Sequence, residues 1–291
     1  MITEQQALAK MKTDIRLRGF SQNTFRMYTS FTGEFLKYCN RPVDHLSEID
    51  VRRFLGHLIT ERKLKPATVN IYSAAIRFFF AVTLNRKMNY LQIPRMKTPK
   101  TFPVILTKAE IQAIIDECSN TKHKALLLML YGSGLRASEL VSLKVKDIDS
   151  KSMRVFVNGG KGKKDRYTIL SDNALNTLRD YWRKYRPKSQ EGYLFPGSKN
   201  IGYLSVDAVA SAINKTVIKA NINKPVSPHT FRHCFATHLL EDGHSLLQIK
   251  EMLGHYCIQS TTIYLHLANT TNGVTSPADN LTAGTFEAYS L

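Results

Sequence analysis

Along the first ninety positions apolar residues recur at the spacing of a helix face. Ala7, Leu8, Met11 and Ile15 form one stripe, which Gly19 ends. Phe25, Tyr28, Phe35 and Leu36 form a second, with Ser21 or Asn23 placed to cap it. Ser47 followed by Asp50 is a capping-box pattern, and Val51, Phe54, Leu55, Leu58 and Ile59 are the inward positions behind it. Pro66 suits the first turn of a fourth helix, which carries Val69, Tyr72, Ile76, Phe79 and Phe80. Residues 1–93 therefore predict a small all-α domain of four amphipathic helices.

Residues 94–103 contain three prolines and three cations but no acid, a composition that favours an extended, stiff linker. The expected linker spans 94–106, with a second domain over 107–291. There Thr107 and Glu110 form another capping box, ahead of Ile111, Ile114 and Ile115. Ala125 to Leu130 reads as a buried helix, broken by Gly132 and Gly134. Residues 153–158 and 166–170 read as two short strands around a glycine-rich turn, Gly159 to Asp165. Ser171 caps a helix with Leu175, Leu178, Trp182 and Tyr185 inward. Residues 206–220 are helical through Val209, Ile213 and Val217; further helices start at Pro228 and behind Ser245, the latter stopping at Gly254. Tyr264 falls in a last helical turn, and residues 269–285 carry little ordering signal. The pattern as a whole is mainly α with a small β-sheet.

Charge changes the picture. The chain of 291 residues carries a formal net charge of +18. Residues 1–106 hold 18 basic against 7 acidic side chains and the remainder 23 against 16, so both domains are basic. Two basic globular domains suit a long polyanion gripped from two sides. On the helical domain the cations include Arg52, Arg53, Arg62, Lys63, Lys65, Arg77, Arg86 and Lys87, which as a set fit phosphate contacts. Four scattered cysteines with no CxxC pair exclude a zinc ribbon or disulfide scaffold and suit reduced thiols in a cytoplasmic protein. The N-terminal stretch is amphipathic and not a signal peptide. The apolar run from Ala125 to Tyr131 is too short to span a bilayer, so no membrane partner is expected.

The candidate chemistry lies between Ser227 and His266. His229 and Arg232 share a helical face, His255 follows Leu253-Gly254, and Tyr264 lies nine residues further on. Arginine grips phosphate oxygens as a fork, histidine exchanges protons near neutrality, and tyrosine can attack phosphorus and hold a covalent intermediate. Together they suit a phosphodiester. Upstream, Arg136 beside glycines has Glu139 three residues on to orient it. The turn at Gly159 to Asp165 is not a Walker loop, because it lacks both the pattern and the strand-to-helix context. Its Lys161, Lys163 and Lys164, with Arg166 just beyond, are candidates for DNA contact, as are Lys65 and Arg77 in the first domain. The acids show no cluster near these motifs, so a metal-dependent transposase or nuclease is not expected.

Taken in order, Gly134-Leu-Arg136-Ala-Ser-Glu139, Gly-Lys161-Gly, His229-Thr-Phe-Arg232-His, Leu-Gly-His255 and Tyr264 make the chain resemble the tyrosine recombinases of the phage-integrase and Xer group. The resemblance implies an N-terminal SAM-like core-binding domain followed by an α+β catalytic domain. It implies that Arg136 and Arg232 clamp the scissile phosphate and that Tyr264 forms a 3′-phosphotyrosine. Lys161 would protonate the leaving 5′ oxygen, with Lys163 and Lys164 as rivals. His229 would act as general acid/base near the tyrosine, His255 would bond the phosphate, and Glu139 would support Arg136. Tyr256 is the rival nucleophile, while His233, His238, His244 and His266 read as packing or surface residues. No cofactor or metal is implied. The expected partner is double-stranded DNA with short inverted-repeat core sites, bound by a homotetramer on two paired sites, with a monomer or weak dimer in the absence of DNA and a nucleoid-associated location. No residues precede the four helices, so a further arm-binding domain is not expected. The alternatives are strand relaxation like that of a type IB topoisomerase, or a DNA-binding regulator with a vestigial site.

Overall fold

The protein is described from a computed structural model over residues 2–89, 93, 95–99, 101–159, 165–198 and 202–268. The chain divides into two compact units, Met1–Thr101 and Phe102–Leu291.

The first unit contains α1 (Glu4–Leu17), α2 (Gln22–Cys39), α3 (Glu48–Thr60) and α4 (Pro66–Phe78), the last running on into a π-helical turn, Phe79–Thr83. Each start has its reason in the sequence. Thr3 caps α1 and Ser21 caps α2. Asp50 accepts both the backbone N–H and the hydroxyl of Ser47 at 2.9 Å, and Pro66 opens α4. Met11, Ile15, Phe35, Phe54, Leu58, Ile76, Phe79 and Phe80 form the core. Ile59, expected inward, is exposed at the edge of its helix. The segment after α4 is tied back onto it. Asn70 donates to the Met96 carbonyl at 3.0 Å and accepts its N–H at 2.9 Å, and Arg77 donates to the Ile93 carbonyl. Part of the expected linker thus lies on the helix face and does not run free.

The second unit contains α5 (Lys108–Asp116), α6 (Thr121–Ser133), α7 (Ala137–Ser142), β1 (Ile148–Asp149), β2 (Arg154–Val157), β3 (Arg166–Ile169), α8 (Asp172–Tyr185), α9 (Val206–Lys219), α10 (Pro228–Glu241) and α11 (Leu246–Leu253). A short 3₁₀ turn, Thr262–His266, follows. The middle of α6, Ala125 to Leu130, is buried on every side, as a helix apolar all round must be. It is packed by α8, α9 and α10. The sheet is antiparallel in the order β1-β2-β3, with Val155 opposite Thr168 and Val157 opposite Arg166. The two-residue β1 was not legible in advance, because nothing in Ile148-Asp149 marks a strand until β2 lies beside it.

One expectation needs correction, and one strand departs from the usual pattern. On α8 the buried face is Ala174, Leu175, Leu178 and Tyr181, while Trp182 and Tyr185 are exposed. The helix turns Tyr181 against Phe195, which occupies the inward position. On β3 the polar residues Arg166 and Thr168 point inward and Tyr167 and Ile169 outward, the reverse of ordinary alternation. The buried pair is satisfied: Thr168 donates to the Ser133 carbonyl at 2.9 Å, and Arg166 enters the site described next. Among the described residues, no helix is long and apolar enough to cross a membrane.

Candidate active site

The site is built around the turn that joins α6 to α7. Gly134 ends α6 in the left-handed conformation (φ +60°), and a Cβ there would lie 2.4 Å from the Phe235 ring. The chain then reverses, and Arg136 becomes the first residue before α7. Glu139, one turn into α7, accepts the Arg136 backbone N–H at 2.8 Å and its guanidinium at 2.7 Å. The same buried carboxylate takes two bonds from Arg166, at 3.0 and 2.8 Å. It also lies 3.7 Å from Arg232. Burial opposes its charged form, but hydrogen bonding and charge from Arg166 and Arg136 outweigh this and lower its pKa to about 2.

Arg166 is therefore not the DNA-facing cation expected from its position after the glycine-rich turn. Its side chain is 7% exposed, and its Nε donates to the Met252 carbonyl at 2.7 Å. A guanidinium held in the interior by both Glu139 oxygens and a backbone carbonyl is turned away from an open phosphate contact. It also lies under Gly254, where a Cβ would come within 2.7 Å of the Arg166 side chain. The glycine of Leu-Gly-His is thus needed both for its φ of +62° and for this close approach.

Arg232, on α10, is 3% exposed. It donates to the Gly134 carbonyl at 2.6 Å and to the Leu253 carbonyl. Burial, with Arg136 adding to it, pushes its pKa down to about 9. Three guanidiniums thus share one carboxylate at this point, which leaves an excess of positive charge suited to an anion.

Tyr264 reaches this cluster from the 3₁₀ turn and is 1% exposed. Its hydroxyl lies 3.1 Å from Nδ1 of His233, and its ring stacks over that of His255 at 6.4 Å and 14°. Burial raises the phenol pKa, while Arg232 and Arg136 pull against it. The rival Tyr256 is 86% exposed. His255 is fixed through Nδ1 to the Thr261 hydroxyl at 2.8 Å. Burial, then the charges of Arg232, Arg136 and Arg166, lower its pKa to about 4, and burial with His229 and Arg232 does the same to His233. Both rings are neutral at pH 7. His229 stands exposed at the start of α10, its pKa lowered by desolvation and by Arg232 and Arg136.

The structure thus brings Arg136, Glu139, Arg232, His255 and Tyr264 together, with His229 beside them. His233 was read from sequence as packing, yet it meets the tyrosine hydroxyl. The signal was present, because His229 and His233 are four apart and share a helix face. Lys161, Lys163 and Lys164 lie outside the described residues. Lys65 is exposed at the start of α4, whereas Arg77 is half-buried with its guanidinium on the Ile93 carbonyl, not the open phosphate contact expected.

Comparison with known proteins gives this geometry its context. The phage integrase family matches residues 105–271, and the phage integrase N-terminal SAM-like domain matches residues 8–90. The integrase/recombinase-type protein y4qK of Sinorhizobium fredii is 41% identical over 260 residues, covering 89% of this chain and 83% of its own. Tyrosine recombinase XerA of Pyrococcus furiosus is 36% identical over 264 residues, covering 89% of this chain and 88% of its own. Among solved structures, the XerH site-specific recombinase bound to its difH substrate in a pre-cleavage complex shares the fold. It does so at a TM-score of 0.70 and 18% identity, over 89% of this chain and 81% of that one. The chain belongs to the phage integrase family of tyrosine recombinases, enzymes that cleave and rejoin DNA strands.

Proposed function

We propose that this protein is a site-specific recombinase that exchanges DNA strands through a 3′-phosphotyrosyl intermediate at Tyr264. The observation that carries the reading is the burial of one phenol between His233 and His255, beside three guanidiniums that share a single carboxylate. Such a cluster is organised for a phosphodiester with a nucleophile already next to it.

In this reading Arg136 and Arg232 hold the non-bridging oxygens, and their charge stabilises the pentavalent phosphorus. Glu139 fixes the Arg136 fork. Neutral His255, held by Thr261, hydrogen-bonds the phosphate, and His229 shuttles protons at the rim. Tyr264 displaces the 5′ oxygen, to which Lys161 gives a proton. A 5′ hydroxyl from a second strand then reverses the step. The ester keeps the bond energy, so no nucleotide is required, and the guanidiniums and Lys161 supply the positive charge without a metal ion. Two basic domains and the kinship with Xer proteins support double-stranded DNA with short inverted core sites as the partner and a homotetramer on paired sites as the working form. Integration or excision of a mobile element and resolution of DNA dimers both use this chemistry.

Covalent trapping tests the reading. A nicked duplex carrying the site from the DNA flanking its gene is mixed with the protein in chelator and run on a denaturing gel. A protein–DNA adduct is expected, lost in Tyr264→Phe and retained in Tyr256→Phe. Binding without any adduct would favour a regulator, and an adduct that chelator abolishes would refute the metal-free route. Strand transfer between two such sites separates recombination from relaxation. Affinity measured between 50 and 200 mM salt should fall by about a thousandfold or more, as six or more phosphate contacts require. A flat response would count against DNA contact by both domains.

A further inference from the structure

Three imidazoles surround the nucleophile, and they are not equivalent. His255 turns its ring face parallel to Tyr264 and commits Nδ1 to Thr261. His229 is a turn away, its ring 6.5 Å from that of His233. His233 alone of the three presents a ring nitrogen to the phenol oxygen, at 3.1 Å, within the range for proton transfer. We propose that His233 takes the proton from Tyr264 as the phenol attacks phosphorus, a role that rests on the tyrosine-transfer reading above.

The step balances. In the Nε2–H tautomer, the Nδ1 lone pair of His233 receives the phenol proton and the ring becomes imidazolium. The phenol oxygen forms its bond to phosphorus as the bond to the 5′ oxygen breaks, and that oxygen leaves with a proton from the general acid. In the reverse step the imidazolium returns its proton to the tyrosine as the new strand displaces it.

The environment suits this cycle. Burial first, and then His229 and Arg232 on the same helix, hold His233 neutral before DNA binds, so its lone pair is available; His255, from the segment after α11, faces it as well. A bound phosphodiester adds negative charge against this cationic cluster and makes the ring more basic when the proton must move. Burial keeps Tyr264 protonated until then, which protects the nucleophile from idle ionisation.

The test is single-turnover cleavage of the nicked duplex described above, in wild type, His233→Ala and His233→Gln. A second duplex carries a bridging sulfur in place of the 5′ oxygen. A thiolate leaves without a proton, so this duplex bypasses a missing general acid but not a missing base. Both variants should cleave the oxygen duplex at least about 100-fold more slowly at unchanged DNA affinity and melting temperature, since general base catalysis contributes about that much. The sulfur duplex should show the same deficit, whereas Lys161→Ala should be restored by it. Glutamine keeps a hydrogen-bonding group of similar size at position 233, so a slow His233→Gln cannot be ascribed to a collapsed site.

Cleavage by His233→Gln within about threefold of wild type, faster cleavage, or rescue by sulfur would each overturn the role of His233 and leave tyrosine transfer standing. A wild-type protein that binds both duplexes and forms no adduct would overturn tyrosine transfer and this role together.

Discussion

Replacing Glu139 by glutamine should destabilise the folded protein by about 3–5 kcal/mol, because it strips the one carboxylate from three neighbouring guanidiniums and leaves buried charge uncompensated. The same change should slow strand cleavage by about 100-fold or more, since Arg136 loses the group that holds its fork in place and small displacements cost about that much. The effect has a pH signature. The Glu139 carboxyl titrates at about 2 in the folded chain, against an ordinary value of 4.5. Its contribution to stability is therefore complete above about pH 4.5 and fades as pH falls toward 2, a difference of about 3 kcal/mol. Urea melts of wild type and Glu139→Gln should differ most near neutrality and converge in acid. A gap that stayed constant from pH 6 to pH 2.5 would show that the carboxylate is not the source of the stability.

Gly134→Ala should be as damaging, for a different reason. The backbone there has φ +60°, and the new methyl would lie 2.4 and 2.6 Å from carbons of the Phe235 ring and 3.1 Å from Leu253. The left-handed conformation costs a non-glycine residue about 1–2 kcal/mol, and forced overpacking about 1–3 more. Its carbonyl also receives Arg232, so any shift that relieves the clash moves a catalytic candidate. Cleavage should fall along with the melting temperature. Gly192→Ala is the control, because it shares the positive φ (+74°) but has open space around the added methyl. It should lose only the left-handed cost of about 1–2 kcal/mol, with normal cleavage. Equal losses at the two positions would mean that the packing against Phe235 is not what makes Gly134 necessary.

The amphipathic stripes of the first unit and the capping pairs Ser47–Asp50 and Thr107–Glu110 are local, and periodicity alone located them. The motif Arg136-Ala-Ser-Glu139 suggested an ion pair because residues three apart on a helix are neighbours, and the pair is there. That a third and a fourth charge, Arg166 and Arg232, converge on the same carboxylate was not legible. They come from a strand and a helix 27 and 93 residues beyond Glu139, and no local spacing encodes that meeting. Its place just beyond a lysine-rich turn marks Arg166 as a DNA contact, and only the pairing of β3 with β2 shows which face of the strand is buried.

The sequence by itself determined the class of fold, the basic character of both domains, and the residues able to act on a phosphodiester, because composition, helical periodicity and short motifs are properties of nearby positions. Tertiary structure alone decided which histidine touches the nucleophile, why Gly134 and Gly254 tolerate no side chain, and that Arg166 faces Glu139 and not solvent. Each of these depends on long-range packing, where burial and the demand that every buried charge find a partner choose among arrangements that local sequence leaves open.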